Sequence, residues 1–128
     1  MRWCFDDGSN RYADHVLDRL LNNNQALVPV LWLYEVASVL SKAQRRGILP
    51  AFKAQGFLTN LRTLDIVVEE VAHDRILVDV FALANRFGLS GYDASYLELA
   101  KRKTIPLATL DEELRQAAKA AGVTLIAG

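Results

Sequence analysis

The feature of the sequence that most constrains its fold is an alternation of short apolar runs with longer amphipathic segments. Short apolar or β-branched runs occur at residues 26–30, 65–69, 106–110 and 123–127. Segments with the helical repeat of apolar residues precede and separate them, at 13–24, 31–46, 50–64, 73–87, 92–102 and 111–121. Strands separated by helices predict parallel pairing. We therefore expect an α/β domain, a three-layer α/β/α sandwich with a mostly parallel sheet.

Glycine and proline mark several ends of the predicted helices. Gly47 and Gly88 follow two of the helical segments, and glycine is common just beyond the end of a helix. Pro50 suits the first turn of a third segment, because its fixed φ matches the helix and its missing N–H is not needed there. These residues support the predicted boundaries.

The length and composition fit one folded domain. The chain has 128 residues and a mass of 14.3 kDa, so we expect a single domain over residues 1–128. A content of 52% hydrophobic and 23% charged residues excludes a disordered chain. The single cysteine, Cys4, excludes an internal disulfide framework and a cysteine-based zinc site. Fifteen basic and fifteen acidic residues cancel, which argues against bulk binding to nucleic acid or anionic membrane.

No targeting or membrane segment is expected. Asp6 and Asp7 interrupt the start of the chain before an apolar signal region forms. The longest apolar stretch, residues 26–34, is far too short to span a bilayer. We therefore expect a soluble, cytoplasmic protein with no membrane partner.

Glu35 stands among apolar residues of a predicted helix. Its helical neighbours Leu31, Trp32 and Val39 form an apolar stripe. A buried carboxylate without a partner costs several kcal/mol, so it should be paired, protonated or bound to a metal. The alternative is a boundary position from which the side chain reaches water.

Asp93 repeats this pattern near the start of another predicted helix. Its helical neighbours Leu89, Tyr96 and Leu97 again form a stripe that faces a core. The alternative is purely structural, because the free N–H groups and the dipole of a first helical turn favour a carboxylate.

Asp111 follows the strand predicted at 106–110 and opens the next helix. Ligands of open α/β folds bind beyond the C-terminal ends of strands, which makes this a candidate functional position. N-capping is its structural explanation, and Thr109 with Glu112 also fits the spacing of a capping box.

The three carboxylates together indicate a metal site. We expect all three toward the same end of the fold, where their negative charges would repel one another unless a cation neutralised them. Carboxylate oxygens select Mg²⁺ or Mn²⁺ over zinc, and no set of Cys or His residues competes for that role. Such ions polarise a phosphodiester and activate bound water. The pattern therefore indicates phosphoryl chemistry, most often hydrolysis of a nucleic-acid backbone.

Three motifs in order connect these residues to a known family. They are Leu33–Leu40, Tyr92–Ala100 and Leu107–Leu114, the last followed by Ala120–Val123. Over essentially the whole chain the sequence resembles PIN domains, specifically VapC-type toxin ribonucleases. The block that begins Tyr-Asp-Ala-Ser-Tyr-Leu at Tyr92 is the strongest of the matches.

The resemblance implies a function and a set of roles. It implies Mg²⁺- or Mn²⁺-dependent cleavage of RNA, a homodimer, and inhibition by a VapB antitoxin. It assigns Glu35, Asp93 and Asp111 to catalysis and metal coordination, with the Thr109 hydroxyl supporting the site.

The chain departs from the PIN pattern in two places. Ser38 stands where the family commonly has asparagine. PIN domains open with a strand that ends in an aspartate, followed by a helix similar to Arg2–Phe5. We therefore expect the first strand and its aspartate to be missing from this chain. Asp6 and Asp7 match the acidic loop after that helix and are poor substitutes.

Three explanations of this gap are open. We favour a misassigned start, with Met1 an internal position of a longer toxin, which predicts weak or absent nuclease activity for this polypeptide. Alternatively, a partner or a swapped segment fills the gap, or the chain is a non-catalytic PIN-like module that binds an antitoxin or RNA. A phosphoacceptor domain of receiver type is a weaker idea, since its acidic pair and lysine are not evident.

The charge is sorted along the chain. No acidic residue occurs in 36–64, which holds Lys42, Arg45 and Arg46, whereas 65–79 holds five acids and only one arginine. We expect Lys42, Arg45 and Arg46 to contact an RNA backbone. Ordinary solvated helix faces are the alternative. The segment 51–64 also carries more apolar side chains than one helix needs, which favours docking of an antitoxin segment or a second protomer.

Overall fold

The structure is a computed structural model that describes residues 25–126. The predictions made for earlier residues, the helix at 13–24 and the loss of the first strand before Arg2–Phe5, lie outside the described residues and stay predictions. The chain divides into two compact units, Met1–Glu69 and Glu70–Gly128, and each is described by itself.

A pair of parallel strands forms the sheet of the first unit. β1 (Ala26–Pro29) pairs with β2 (Ile66–Glu69), and Ala26 lies opposite Ile66. β2 is Ile-Val-Val-Glu and β1 contains Val28, and these branched side chains favour an extended backbone. The first two predicted strands are therefore confirmed, each one residue shorter than expected.

Two helices connect these strands. α1 (Val30–Arg45) is followed by Gly47, whose positive φ of 73° is a conformation that glycine adopts without strain. α2 (Ala51–Leu61) begins after Pro50, whose carbonyl accepts a hydrogen bond from the N–H of Ala54 at 3.1 Å. The buried residues of α1 are spaced three or four apart and are Trp32, Val36, Leu40 and Ala43. This spacing is the helical repeat from which α1 was predicted, whereas α2 ends three residues before its predicted end.

The second unit begins with a helical rod that contains one π turn. α3 (His73–Arg75) continues through the π turn Ile76–Val80 into α4 (Phe81–Phe87), and Gly88 ends the rod with a φ of 65°. The predicted helix over 73–87 is confirmed. The π turn was not predicted, because one extra residue within a single turn hardly changes the apolar pattern.

Two further helices, α5 (Gly91–Lys103) and α6 (Glu112–Ala121), pack with this rod around one core. Leu97 of α5 lies at its centre with no exposed surface. The buried members of this core are Val80, Leu89, Ala94, Leu97, Ala100, Leu107, Leu114, Ala117, Ala118 and Val123. The helices that carry Asp93 and Asp111 are thus held by one set of apolar contacts.

The last two predicted strands are wrong in length, because far fewer residues pair than expected. In place of strands at 106–110 and 123–127, the described residues form one parallel bridge between Leu107 and Leu125. The N–H of Leu107 donates to the Thr124 carbonyl at 2.8 Å, and the N–H of Ile126 donates to the Leu107 carbonyl at 3.0 Å. Pro106 precedes the bridge and has no N–H with which to extend the ladder. Both this bridge and the β1–β2 pair are parallel, as expected.

The longest described helix, α1, has 16 residues. A helix needs about 20 predominantly apolar residues to cross a bilayer. Between residues 25 and 126, no helix has both the length and the apolar character for such a crossing.

Candidate active site

Glu35 lies on α1 at the margin of its buried face. It is half-buried, as are Leu31 and Val39 one turn before and after it, and these three residues line one side of the helix. Trp32 belongs to the fully buried stripe beside them, so Glu35 borders that stripe rather than being part of it. This half-burial agrees with the alternative interpretation of the sequence, in which Glu35 stands at the boundary of the buried face and its side chain reaches water.

Asp93 is the third residue of α5 and is half-buried. Its N–H donates to the Ser90 hydroxyl at 3.0 Å, so Ser90 is the residue that caps the helix. Leu89 and Leu97, two of its predicted helical neighbours, are buried in the core of the second unit. Asp93 itself is therefore not the N-cap, although its carboxylate lies in the first turn, where the helix dipole favours negative charge.

Asp111 is the N-cap of α6. Its Oδ1 accepts a hydrogen bond from the N–H of Leu114 at 2.9 Å, and its own N–H donates to the Thr109 hydroxyl at 3.1 Å. The predicted capping box between Thr109 and Glu112 is wrong, because the helix begins at Glu112 and the cap precedes it directly. Thr109 instead holds the backbone of Asp111.

Arg115 extends this turn and was missed in the sequence. Its Nη1 donates to the Thr109 carbonyl at 2.9 Å, and its backbone N–H donates to the Asp111 carbonyl at 2.9 Å. The four-residue spacing from Asp111 indicates a contact between the two side chains and does not indicate the observed bond to the Thr109 carbonyl.

Glu98 is a buried charge that the sequence reasoning also missed. It is 5% exposed, and its Oε1 accepts from Arg102 Nε at 2.6 Å and lies 3.6 Å from Arg75 Nη1. Because Arg75 belongs to α3, the carboxylate of Glu98 joins that helix to α5. The four-residue spacing of Glu98 and Arg102 was its sequence signal.

The basic residues predicted to contact RNA are exposed. Lys42 and Arg45 lie in the last turn of α1 and Arg46 follows it, so the three project from one end of the helix. Arg45 Nη1 donates to the hydroxyl of Ser41.

A groove of about 470 Å³ opens within the first unit, between α1, α2 and β2. Its walls are mostly apolar and include Leu40, Leu58 and Ile66. Leu58 belongs to the segment for which the sequence predicted surplus apolar surface. Phe52 of the same segment is 73% exposed.

Comparison with known proteins identifies the family. The family model of the PIN domain matches residues 3–120. The chain belongs to the PIN domain family. It is also 37% identical to ribonuclease VapC3 of Pyrobaculum aerophilum over 83 residues, which are 65% of this chain and 63% of that protein. The chain thus aligns with less than two thirds of that relative's length. The predicted identification as a PIN domain is confirmed, and the likeness to VapC3 agrees with the predicted VapC type.

A solved structure supports the same fold. The crystal structure of PAE2754 from Pyrobaculum aerophilum matches with a TM-score of 0.66 and 26% sequence identity, covering 81% of this chain and 74% of that one. Together with the family match, this likeness confirms the predicted α/β fold of the PIN type.

The carboxylates of this PIN domain suit a hard cation in their chemistry. Glu35, Asp93 and Asp111 are each half-buried, and Mg²⁺ and Mn²⁺ prefer carboxylate oxygens. Across residues 25–126, however, no group of three or more Asp, Glu, His or Cys side chains is close enough to hold one ion. Asp93 and Asp111 belong to the second unit and Glu35 to the first. Their shared role as metal ligands therefore stays a prediction.

Proposed function

We propose that this PIN domain is a metal-dependent endoribonuclease, the toxin of a type II toxin–antitoxin pair. The match of the PIN family model over residues 3–120 is the observation that carries the proposal. The likeness to a protein named ribonuclease VapC3 supports RNA as the substrate. The half-buried carboxylates at the starts of α5 and α6 give the chain acidic groups of the kind such chemistry requires.

Glu35, Asp93 and Asp111 are the residues that would hold Mg²⁺ or Mn²⁺. Such an ion, when bound, supplies charge neutralisation at a phosphodiester and activation of water. The chain's own contribution is to orient the carboxylates. Ser90 fixes the backbone of Asp93 by accepting its N–H, and Thr109 does the same for Asp111. Half-burial limits the water that competes for these oxygens.

The RNA backbone would lie along Lys42, Arg45 and Arg46. Their exposure at the end of α1 leaves the cationic groups accessible to phosphates. Their positions on one end of the helix allow them to contact successive phosphates of a single strand.

A VapB-type antitoxin and a second copy of the chain are the proposed protein partners, in the cytoplasm. The groove between α1, α2 and β2 has the apolar walls that an amphipathic antitoxin segment would need. Phe52, an exposed residue of α2, adds apolar surface on one of the helices that form the groove.

The test is RNA cleavage by the purified chain with Mn²⁺ and with EDTA. We expect slow, Mn²⁺-dependent cleavage that Asp93→Asn abolishes and that Asp74→Asn leaves unchanged. Asp74 is the matched control, an exposed aspartate near the start of α3. Cleavage that persists in Asp93→Asn would contradict the proposal. RNA binding without any cleavage would favour a non-catalytic PIN-like module instead.

A further inference from the structure

We propose that Arg115 is a positioning residue for the Asp111 carboxylate. The inference rests on the proposed function, in which Asp111 is a metal ligand. Arg115 is proposed to contact neither the ion nor the substrate. It acts through Thr109 on the turn that presents Asp111 at the start of α6.

A chain of hydrogen bonds links the guanidinium to the aspartate. Arg115 Nη1 donates to the Thr109 carbonyl at 2.9 Å, which fixes the peptide unit that follows Thr109. The Thr109 hydroxyl accepts the N–H of Asp111 at 3.1 Å, and Asp111 Oδ1 accepts the N–H of Leu114 at 2.9 Å. The orientation of Asp111 is thus set from both sides of its Cα. A hydrogen bond from a cationic donor is stronger than one between neutral groups, so the bond from Arg115 is the strongest of these hydrogen bonds.

The location of Arg115 argues against an ordinary surface arginine. It is the fourth residue of α6, close to the N-terminus, where the helix dipole disfavours a positive charge. Lys119, in the last turn of the same helix, has the favourable location. The half-buried side chain of Arg115 instead turns back across the helix start to reach Thr109. This location, although electrostatically unfavourable, allows Arg115 to contact the Thr109 carbonyl.

The first experiment measures Mn²⁺ affinity by calorimetry in the intact chain. Arg115→Met keeps the length of the stem and removes the donors, and Lys119→Met is the matched control on the same helix. We expect Arg115→Met to weaken Mn²⁺ binding about tenfold, the loss typical of residues that orient a metal ligand, and Lys119→Met to leave it unchanged. Arg115→Lys should lose less, because its ammonium is still a cationic donor, although it lacks the planar fork of the guanidinium. Equal affinity in Arg115→Met and the wild type would overturn the inference.

The second experiment follows the turn without metal. Amide hydrogen exchange by NMR in the metal-free protein should become faster at the N–H of Asp111 in Arg115→Met and, to a smaller extent, in Arg115→Lys. The N–H of Val123, which donates to the Ala118 carbonyl at the far end of α6, serves as the internal control and should not change. An unchanged Asp111 amide in both variants would overturn the inference, and Arg115→Lys decides this if Arg115→Met does not fold. A wild-type chain that binds no Mn²⁺ would contradict the proposed function, whereas the exchange rates would still decide whether Arg115 holds the turn.

Discussion

Asp111 combines a structural role with a proposed chemical one, and two substitutions separate them. Asp111→Ala removes the N-cap of α6 and should lower the free energy of unfolding by about 1 kcal/mol. Asp111→Asn keeps a side-chain oxygen for the Leu114 N–H, so its stability should stay close to that of the wild type. Urea unfolding without metal measures both. If Asp111→Asn proved as unstable as Asp111→Ala, the carboxylate charge would contribute more to stability than the capping bond.

The basic residues at the end of α1 allow a second prediction at the scale of single side chains. Lys42→Ala should weaken RNA binding and reduce the slope of log affinity against log salt by about 0.7, the change expected when one phosphate contact to a single strand is lost. Lys119→Ala removes an exposed lysine from α6 and is the control. Titration of a single-stranded RNA at several salt concentrations gives the slopes. An unchanged slope in Lys42→Ala would exclude Lys42 from the RNA interface.

Individual functional residues could be predicted from the sequence only where they interrupt a recognisable pattern. Glu35 and Asp93 were found because a carboxylate interrupts an apolar helical repeat. Ser90 as the cap of α5 and Arg115 as a support of Asp111 were not found, since both act through the backbone. A sequence carries little information about which carbonyl or N–H a side chain reaches.

At the scale of elements, the ion cluster of Glu98 ties α3 to α5. Glu98→Ala should lower the free energy of unfolding by about 1.5 kcal/mol, the contribution of hydrogen bonds to a charged group. The loss is not larger because Arg75 keeps its ion pair with Asp79 and both arginines keep some contact with water. Glu113→Ala, at an exposed helical position, should change it by no more than about 0.5 kcal/mol. Similar unfolding midpoints for the two variants would mean that the cluster does not join the helices.

Helices were easier to predict than strands for a physical reason. The repeat of Trp32, Val36 and Leu40 in α1 specifies a helix locally, and Gly88 marks the end of α4. The apolar runs at 106–110 and 123–127 favour an extended backbone, but the number of residues that pair depends on the partner chain segment. The bridge at Leu107 and Leu125 is the part of those runs that forms.

At the scale of the molecule, the PIN family follows from motifs spread over the chain, while the proposed function depends on residues in both units. The order of the three motifs predicted the family, and the match over residues 3–120 confirms it. Neither the alternation of elements nor the composition predicts whether Glu35, Asp93 and Asp111 share an ion. That question concerns side chains far apart in the sequence, which local patterns do not relate.

The stoichiometry and affinity of Mn²⁺ binding in the wild type and in three variants test whether the three carboxylates hold one ion. Calorimetry should give a site that each of Glu35→Gln, Asp93→Asn and Asp111→Asn weakens at least tenfold, because each change replaces an anionic ligand by a neutral amide. Asp74→Asn should bind as the wild type does. Undiminished affinity in Glu35→Gln, with losses in the two aspartate variants, would contradict a site formed by all three carboxylates.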